Sequence, residues 1–310
     1  MTKPEYPRLA VIDLGTNTFH MLIVEVFPDF SFREIYRDPE YVYLAEEGID
    51  TIGEAPFQRG LATLTRFKQQ LDKHQVKATR VFGTEALRKA SNGPLFRKLV
   101  KQQTGIDIEL ITGLEEARLI AQGTRMAVPP FEETILTMDI GGGSVEFILM
   151  NQDEVLWKQS FPIGISVLYR QFQQTEPISA AQIQIIFEHL NTVLKPLTEE
   201  LKKHEVNILA GASGAFEIVQ AALNIPQQKP DYAEIDRDSF LEFTRPMYRL
   251  DLDERKAHPL IPTSRAQLFV VALLLNDWSL QATGAQRIWM SKYAMKEGML
   301  WGMMRDESFL

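Results

Sequence analysis

The 310-residue chain contains no cysteine, which excludes disulfide bonds and thiolate metal sites. It has 5 histidines and no HxxH spacing, so a zinc centre is not expected, and any metal must be held by oxygen or imidazole ligands. Basic residues are in deficit: 33 Lys and Arg stand against 41 Asp and Glu, a formal net charge of −8. General nucleic-acid binding, which relies on clustered cations, is therefore not expected. A small polyanion held in a local basic pocket remains compatible with that charge. Long hydrophobic runs are also missing. The most apolar stretch, Leu268 to Leu275, is far shorter than the ~20 residues that span a bilayer. The first fifteen residues lack the apolar core of a signal peptide. A soluble, cytoplasmic protein without membrane contact is the expectation.

The patterning predicts mixed α/β structure. Leu9 to Ile12 reads as a buried strand running into Asp13-Leu14-Gly15, with Met21–Val26 as its hairpin partner and Phe32–Tyr36 as a third strand. Phe57, Leu61, Leu64, Phe67 and Leu71 recur at helical spacing. A short strand at Val81-Phe82, a helix from Pro94 to about Gln103, a strand at Ile108–Ile111 and a helix at Leu114–Met126 follow. After Pro129-Pro130 the pattern restarts: strand Thr134–Asp139, turn Gly141–Ser144, strand Val145–Met150 and strand Val155–Ser160. A helix from Ser179 to about His204 should kink or restart at Pro196. Ile208–Ala210 leads into Gly211-Ala212-Ser213-Gly214 and another helix. Helices over Arg265–Leu280 and Met290–Met303 complete the reading.

A weak repeat organises these elements. Asp13-x-Gly15 with Thr16 recurs as Asp139-x-Gly141 with Ser144, about one domain length later. Two related domains facing a shared cleft would produce it, although Asp and Gly are common in hairpin turns anyway. Gly-rich turns present backbone N–H groups to anions because no Cβ blocks the approach. Three such turns stand out: Gly15-Thr16-Asn17-Thr18, Gly141-Gly142-Gly143-Ser144, and the turn carrying Gly211, Ser213 and Gly214. Asp13 and Asp139 end apolar strands, where a carboxylate is costly without donors or a cation. Glu146 follows across the second hairpin. These three carboxylates are the candidate Mg²⁺ ligands, or else residues that cap their own turns or face outward. Glu115 and Glu116 open a helix, and Arg88 lies upstream. They suit water activation and phosphoryl neutralisation, but equally a helix-dipole pair and a surface cation.

In order and spacing, IDLGTNTFHM, GTEALRKASN, ITGLEEARL, DIGGGSVEF and GASG resemble the exopolyphosphatase/guanosine pentaphosphate phosphatase family, within the actin-like ATPase and sugar kinase superfamily. The resemblance spans Leu9 to about Ile225, with an echo at SKYAMKEGML. It implies two actin-like, ribonuclease H-like α/β domains around an interdomain cleft: residues 1–127, with a C-terminal helix of about 296–310 packing back on them, and residues 128–295. It implies a hydrolase that releases terminal phosphate from polyphosphate or a phosphorylated guanosine nucleotide, with Glu116 as general base and Arg88 on the transferring phosphoryl group. By the same resemblance Asp13, Asp139 and Glu146 serve Mg²⁺ and water, and the three turns contact phosphate. GASG stands where related ATPases hold adenosine. Residues 261–265 and 291–294 depart from the family pattern, Arg265 adding a basic group. A kinase of the same superfamily and a non-catalytic nucleotide sensor are the rival readings. The apolar segment at 268–275, with Trp278, Trp289 and Trp301, suits a homodimer or simply a core.

Overall fold

The computed structural model describes residues 5–212, 214–228, 231–306 and 308. The chain divides into two compact units: Met1–Gly123 with Met295–Leu310, and Thr124–Ala294.

The first unit is built on strands β1 (Arg8–Leu14), β2 (Thr18–Val26), β3 (Phe32–Tyr41), β4 (Ala78–Gly83) and β5 (Glu109–Leu110), in the order β3-β2-β1-β4-β5. The first three form an antiparallel meander, and β4 and β5 continue parallel to β1. Every residue of β1 from Leu9 to Ile12 is buried, as expected for a strand covered on both faces. The helix Glu54–Lys73 covers one face with Phe57, Leu61, Leu64, Phe67 and Leu71. It crosses the helix Gly93–Thr104 where Gly60 meets Phe96, since a Cβ on Gly60 would fall 2.8 Å from the Phe96 ring.

The second unit holds β6 (Ile135–Ile140), β7 (Val145–Met150), β8 (Val155–Phe161), β9 (Ile208–Gly211), β10 (Tyr232–Asp236) and β11 (Arg287–Ser291), in the order β10-β11-β9-β6-β7-β8. Read from β8, this is the same arrangement: an antiparallel meander β6-β7-β8, then β9 and β11 parallel to β6. One antiparallel strand, β10, is added at the edge. The ribonuclease H-like sheet of the actin-like fold thus occurs once in each unit.

Two expectations need correction. The segment from Met290 begins as strand, not helix: Ile288, Trp289 and Met290 are buried between β9 and β10, and the helix starts only at Met295. A short apolar run fits either a buried strand or a buried helix, and lateral pairing decides it. The helix expected from Arg265 spans Phe269–Thr283 and ends on Gly284 at φ +70°, a left-handed stop suited to glycine. Its residues Phe269 to Leu280 are buried, so core packing accounts for the apolar stretch and for Trp278, and that segment gives no argument for a dimer. The long helix restarts as expected: it breaks at Leu194, and Pro196 sits in the first turn of the next helix, Lys195–Leu201, where its missing N–H costs nothing.

Among the described residues no helix is long and apolar enough to cross a membrane. The helix Met295–Met304 packs on β1 of the first unit. At Gly298 it approaches the helix Gly113–Ala127 so closely that a Cβ would fall 2.0 Å from the Leu119 carbonyl oxygen. Backbone cannot give way as a flexible side chain does. Gly298→Ala should therefore lower unfolding stability by ~1–3 kcal/mol, as overpacking typically does; an unchanged urea midpoint would remove this contact from the account.

Candidate active site

The turns that join β1 to β2 and β6 to β7 are built alike. Gly15 N–H donates to the Thr18 carbonyl at 3.1 Å, and Gly141 N–H to the Ser144 carbonyl at 3.0 Å. At each glycine a Cβ would lie 2.9 Å from that same carbonyl, which explains the shared residue. The strand registers extend the match: Asp13 faces His20, and Asp139 faces Glu146. The pairing expected between Thr16 and Ser144 is therefore displaced, because Thr18 is the counterpart of Ser144.

Each turn is backed by the segment that follows the third strand of its meander. In the second unit, N–H groups of Gly164, Ile165 and Ser166 donate to the carbonyls of Gly143, Gly141 and Gly142. A trans peptide directs its N–H opposite its C=O, so the amides of Gly142, Gly143 and Ser144 point away from that backing, as an anion-binding concavity requires. The approach is close: a Cβ at Gly164 would fall 2.3 Å from Gly142 carbonyl atoms. In the first unit Leu44 N–H binds the Thr16 carbonyl, and Val42 and Tyr43 both donate to the Asn17 carbonyl at 2.9 Å. By the same geometry the amides of Asn17 and Thr18 turn outward. Tyr43 holds this contact at φ +52°, a strained conformation for a bulky residue.

The two acidic strand ends differ. Asp13 Oδ1 is closed to solvent and accepts no hydrogen bond among the described residues. Burial pushes the Asp13 carboxyl up to about 6; Lys296 works against that rise and Glu297 adds to it. Both come from the C-terminal helix, where buried Glu297 pairs with Arg37 at 3.3 Å. In the second unit Glu146, 3% exposed, accepts from Ser160 Oγ at 2.6 Å. Its directly opposed position puts it on the same sheet face as Asp139. Among the described residues no group of three or more acidic or imidazole side chains is placed to hold a metal by itself.

Arg88 and Glu116 meet. The helix Glu85–Lys89 is tied to the end of β1 by Thr84, whose N–H and hydroxyl both reach the Leu14 carbonyl. Arg88 Nη1 donates to Glu116 Oε2 and to the Ile111 carbonyl, each at 2.5 Å. The pair of acids at 115 and 116 is thereby resolved. Glu115 is paired at the surface with Arg118, whereas Glu116 is 6% exposed and turned to Arg88. A third partner is new: Glu85 Oε2 accepts from Arg88 Nη2. Burial works to lower the Arg88 pKa, but the carboxylates of Glu116 and Glu85 outweigh it and hold the guanidinium above its ordinary value.

The sequence model of the Ppx/GppA phosphatase family matches residues 26–307. The chain belongs to that family. It is 32% identical over 217 residues to a guanosine-5'-triphosphate,3'-diphosphate pyrophosphatase of Vibrio vulnificus strain YJ016, covering 69% of this chain and 43% of that protein. The matched segment thus spans less than half the length of that curated relative. It superposes on the crystal structure of an exopolyphosphatase from Cytophaga hutchinsonii with a TM-score of 0.91 at 33% identity, covering 96% and 97% of the two chains. The Aquifex aeolicus Ppx/GppA member shares the fold at a TM-score of 0.80 and 21% identity, over 97% and 99%.

Within this family frame, the third turn runs from Gly211 at the end of β9 to Gly214 at the start of a helix, and Ser213 lies outside the described residues. Arg265, flagged as a departure, packs directly on Gly214 and pairs with Glu217 at 3.2 Å. Glu85 escaped the sequence reading, although its place three residues before Arg88 on a helix was a usable signal.

The Asp13 pKa carries a stability consequence. A folded value near 6 against an ordinary 3.8 means the folded state binds the proton more tightly. That contribution is fully present below pH ~4 and is lost as pH rises through ~6. Asp13→Asn should accordingly raise unfolding stability at pH 8 by ~1–3 kcal/mol, with the gain vanishing toward pH 4. Denaturant unfolding at the two pH values checks the sign; a variant destabilised at pH 8 would contradict it.

Proposed function

We propose that this chain releases orthophosphate from the ends of inorganic polyphosphate or of a guanosine pentaphosphate-like nucleotide. The observation that carries the reading is the buried Arg88–Glu116 pair: a carboxylate held by a cation, beside a strand end with outward-facing amides. The activities for which the Vibrio and Cytophaga relatives are named support the two substrate classes.

In this reading Glu116 accepts a proton from a water that attacks the terminal phosphorus in line. The bridging P–O bond breaks, and the shortened chain leaves with its bridging oxygen. The proton on Glu116 returns to solvent or to the leaving phosphate. Arg88 faces the equatorial oxygens, and the amides of Asn17 and Thr18 in the same unit bind the remaining phosphoryl oxygens. Holding Glu116 against a guanidinium fixes the direction of the base.

A Mg²⁺ ion fits the donor chemistry. Asp13 offers a buried oxygen without a hydrogen-bond donor, and Asp139 and Glu146 share a sheet face. Asp13 in the first unit, or Asp139 with Glu146 in the second, are the residues that would hold it, completed by substrate oxygens and water, since Mg²⁺ usually takes only one or two carboxylates from protein. The ion would supply charge neutralisation. A soluble, cytoplasmic setting suits such substrates.

Glu116→Gln keeps shape and removes the base, so kcat on polyphosphate should fall by ~10²–10⁴ while KM changes little. Orthophosphate release measured against wild type decides this, and a fully active variant would end the assignment.

A further inference from the structure

The reaction uses Arg88 and Glu116, but Arg88 is paired a second time. Nη2 donates to Glu85 Oε2 at 2.5 Å, and Glu85 is only 8% exposed. A solvated pair of this spacing on a helix surface would mean little. This one is buried at the guanidinium the reaction needs.

The donor inventory sharpens the point. Nη1 carries two hydrogens, and the Ile111 carbonyl and Glu116 engage both. The donors that remain on the guanidinium are on Nε and Nη2, and Glu85 sits on Nη2. A phosphoryl group that takes an arginine edge in the usual two-pronged way needs a pair of neighbouring donors. The edge left to it is Nε with Nη2, so it shares Nη2 with Glu85. The local charge points the same way, because this one guanidinium is shared by two carboxylates. The contact with Arg88 is the one side-chain hydrogen bond that Glu85 makes among the described residues.

We infer that Glu85 is an internal competitor for Arg88, a carboxylate that occupies the guanidinium edge taken by the terminal phosphoryl group. It holds Arg88 in register, yields Nη2 when the phosphoryl group arrives, and retakes it as orthophosphate leaves. Glu85 is thus a positioning residue that sets KM and product release and performs no bond chemistry. The inference rests on the hydrolase reading of Arg88, yet its test needs only anion binding.

Orthophosphate binding to the full chain is measured by titration calorimetry for wild type, Glu85→Gln and Glu85→Asp, with melting temperatures alongside. Glu85→Gln retains a hydrogen-bond acceptor but no charge, so its orthophosphate Kd should fall about tenfold, equivalent to ~1.4 kcal/mol. Glu85→Asp, one methylene shorter, should lie between it and wild type. In turnover assays Glu85→Gln should show stronger orthophosphate inhibition and a lower kcat. A purely structural role would not tighten anion binding. An unchanged or weaker Kd in a folded Glu85→Gln chain overturns the inference; should that variant not fold, an unchanged or weaker Kd in Glu85→Asp does so. Tighter binding in a chain that hydrolyses neither substrate would refute the hydrolase reading and leave the competitor role standing.

Discussion

The guanidinium of Arg88 joins three segments of the first unit: its own short helix, the carbonyl at Ile111 where β5 ends, and the helix that carries Glu116. Without it two carboxylates and a carbonyl would face one another in a poorly solvated space. An uncompensated buried charge of that kind is costly, and breaking such a pair typically removes several kcal/mol. The cation therefore holds the three segments together. It makes the burial of Glu116 tolerable, and it fixes the direction of that carboxylate.

A second constraint acts through the backbone. Each acid-ended turn has its carbonyls taken by a neighbouring segment, and planarity of the peptide then turns its amides outward. The units reach this by different means. The second unit uses glycine at 164, where the chains approach too closely for any side chain. The first unit uses Tyr43 in a left-handed conformation, so that two successive amides converge on one oxygen. The same design thus rests on packing in one half and on local strain in the other.

Much of this was legible in the sequence, for identifiable reasons. Strands β1, β2, β6 and β7 are short apolar runs bounded by Asp-x-Gly, and their turns admit few residues other than glycine, so pattern and turn chemistry agreed. The repeat was visible, but its alignment was not: hydroxyls at both 16 and 18 fit the pattern, and only the Gly15–Thr18 closure chose between them. At the C-terminal end Ile288, Trp289 and Met290 gave no period to read, since a strand buried on both faces has none. Glu115 and Glu116 are adjacent acids in one helical turn, indistinguishable until burial separates them. Glu85 stayed hidden because an acidic first-turn residue ordinarily serves the helix dipole.

The central claim is that a water aligned by Glu116 attacks the terminal phosphorus. Hydrolysis of tripolyphosphate in ¹⁸O-labelled water, with mass analysis of both products over a single cleavage, tests it directly. The account requires the label in the released orthophosphate, one solvent oxygen per molecule, and none in the remaining pyrophosphate. Label found in the pyrophosphate, or in neither product, would contradict it.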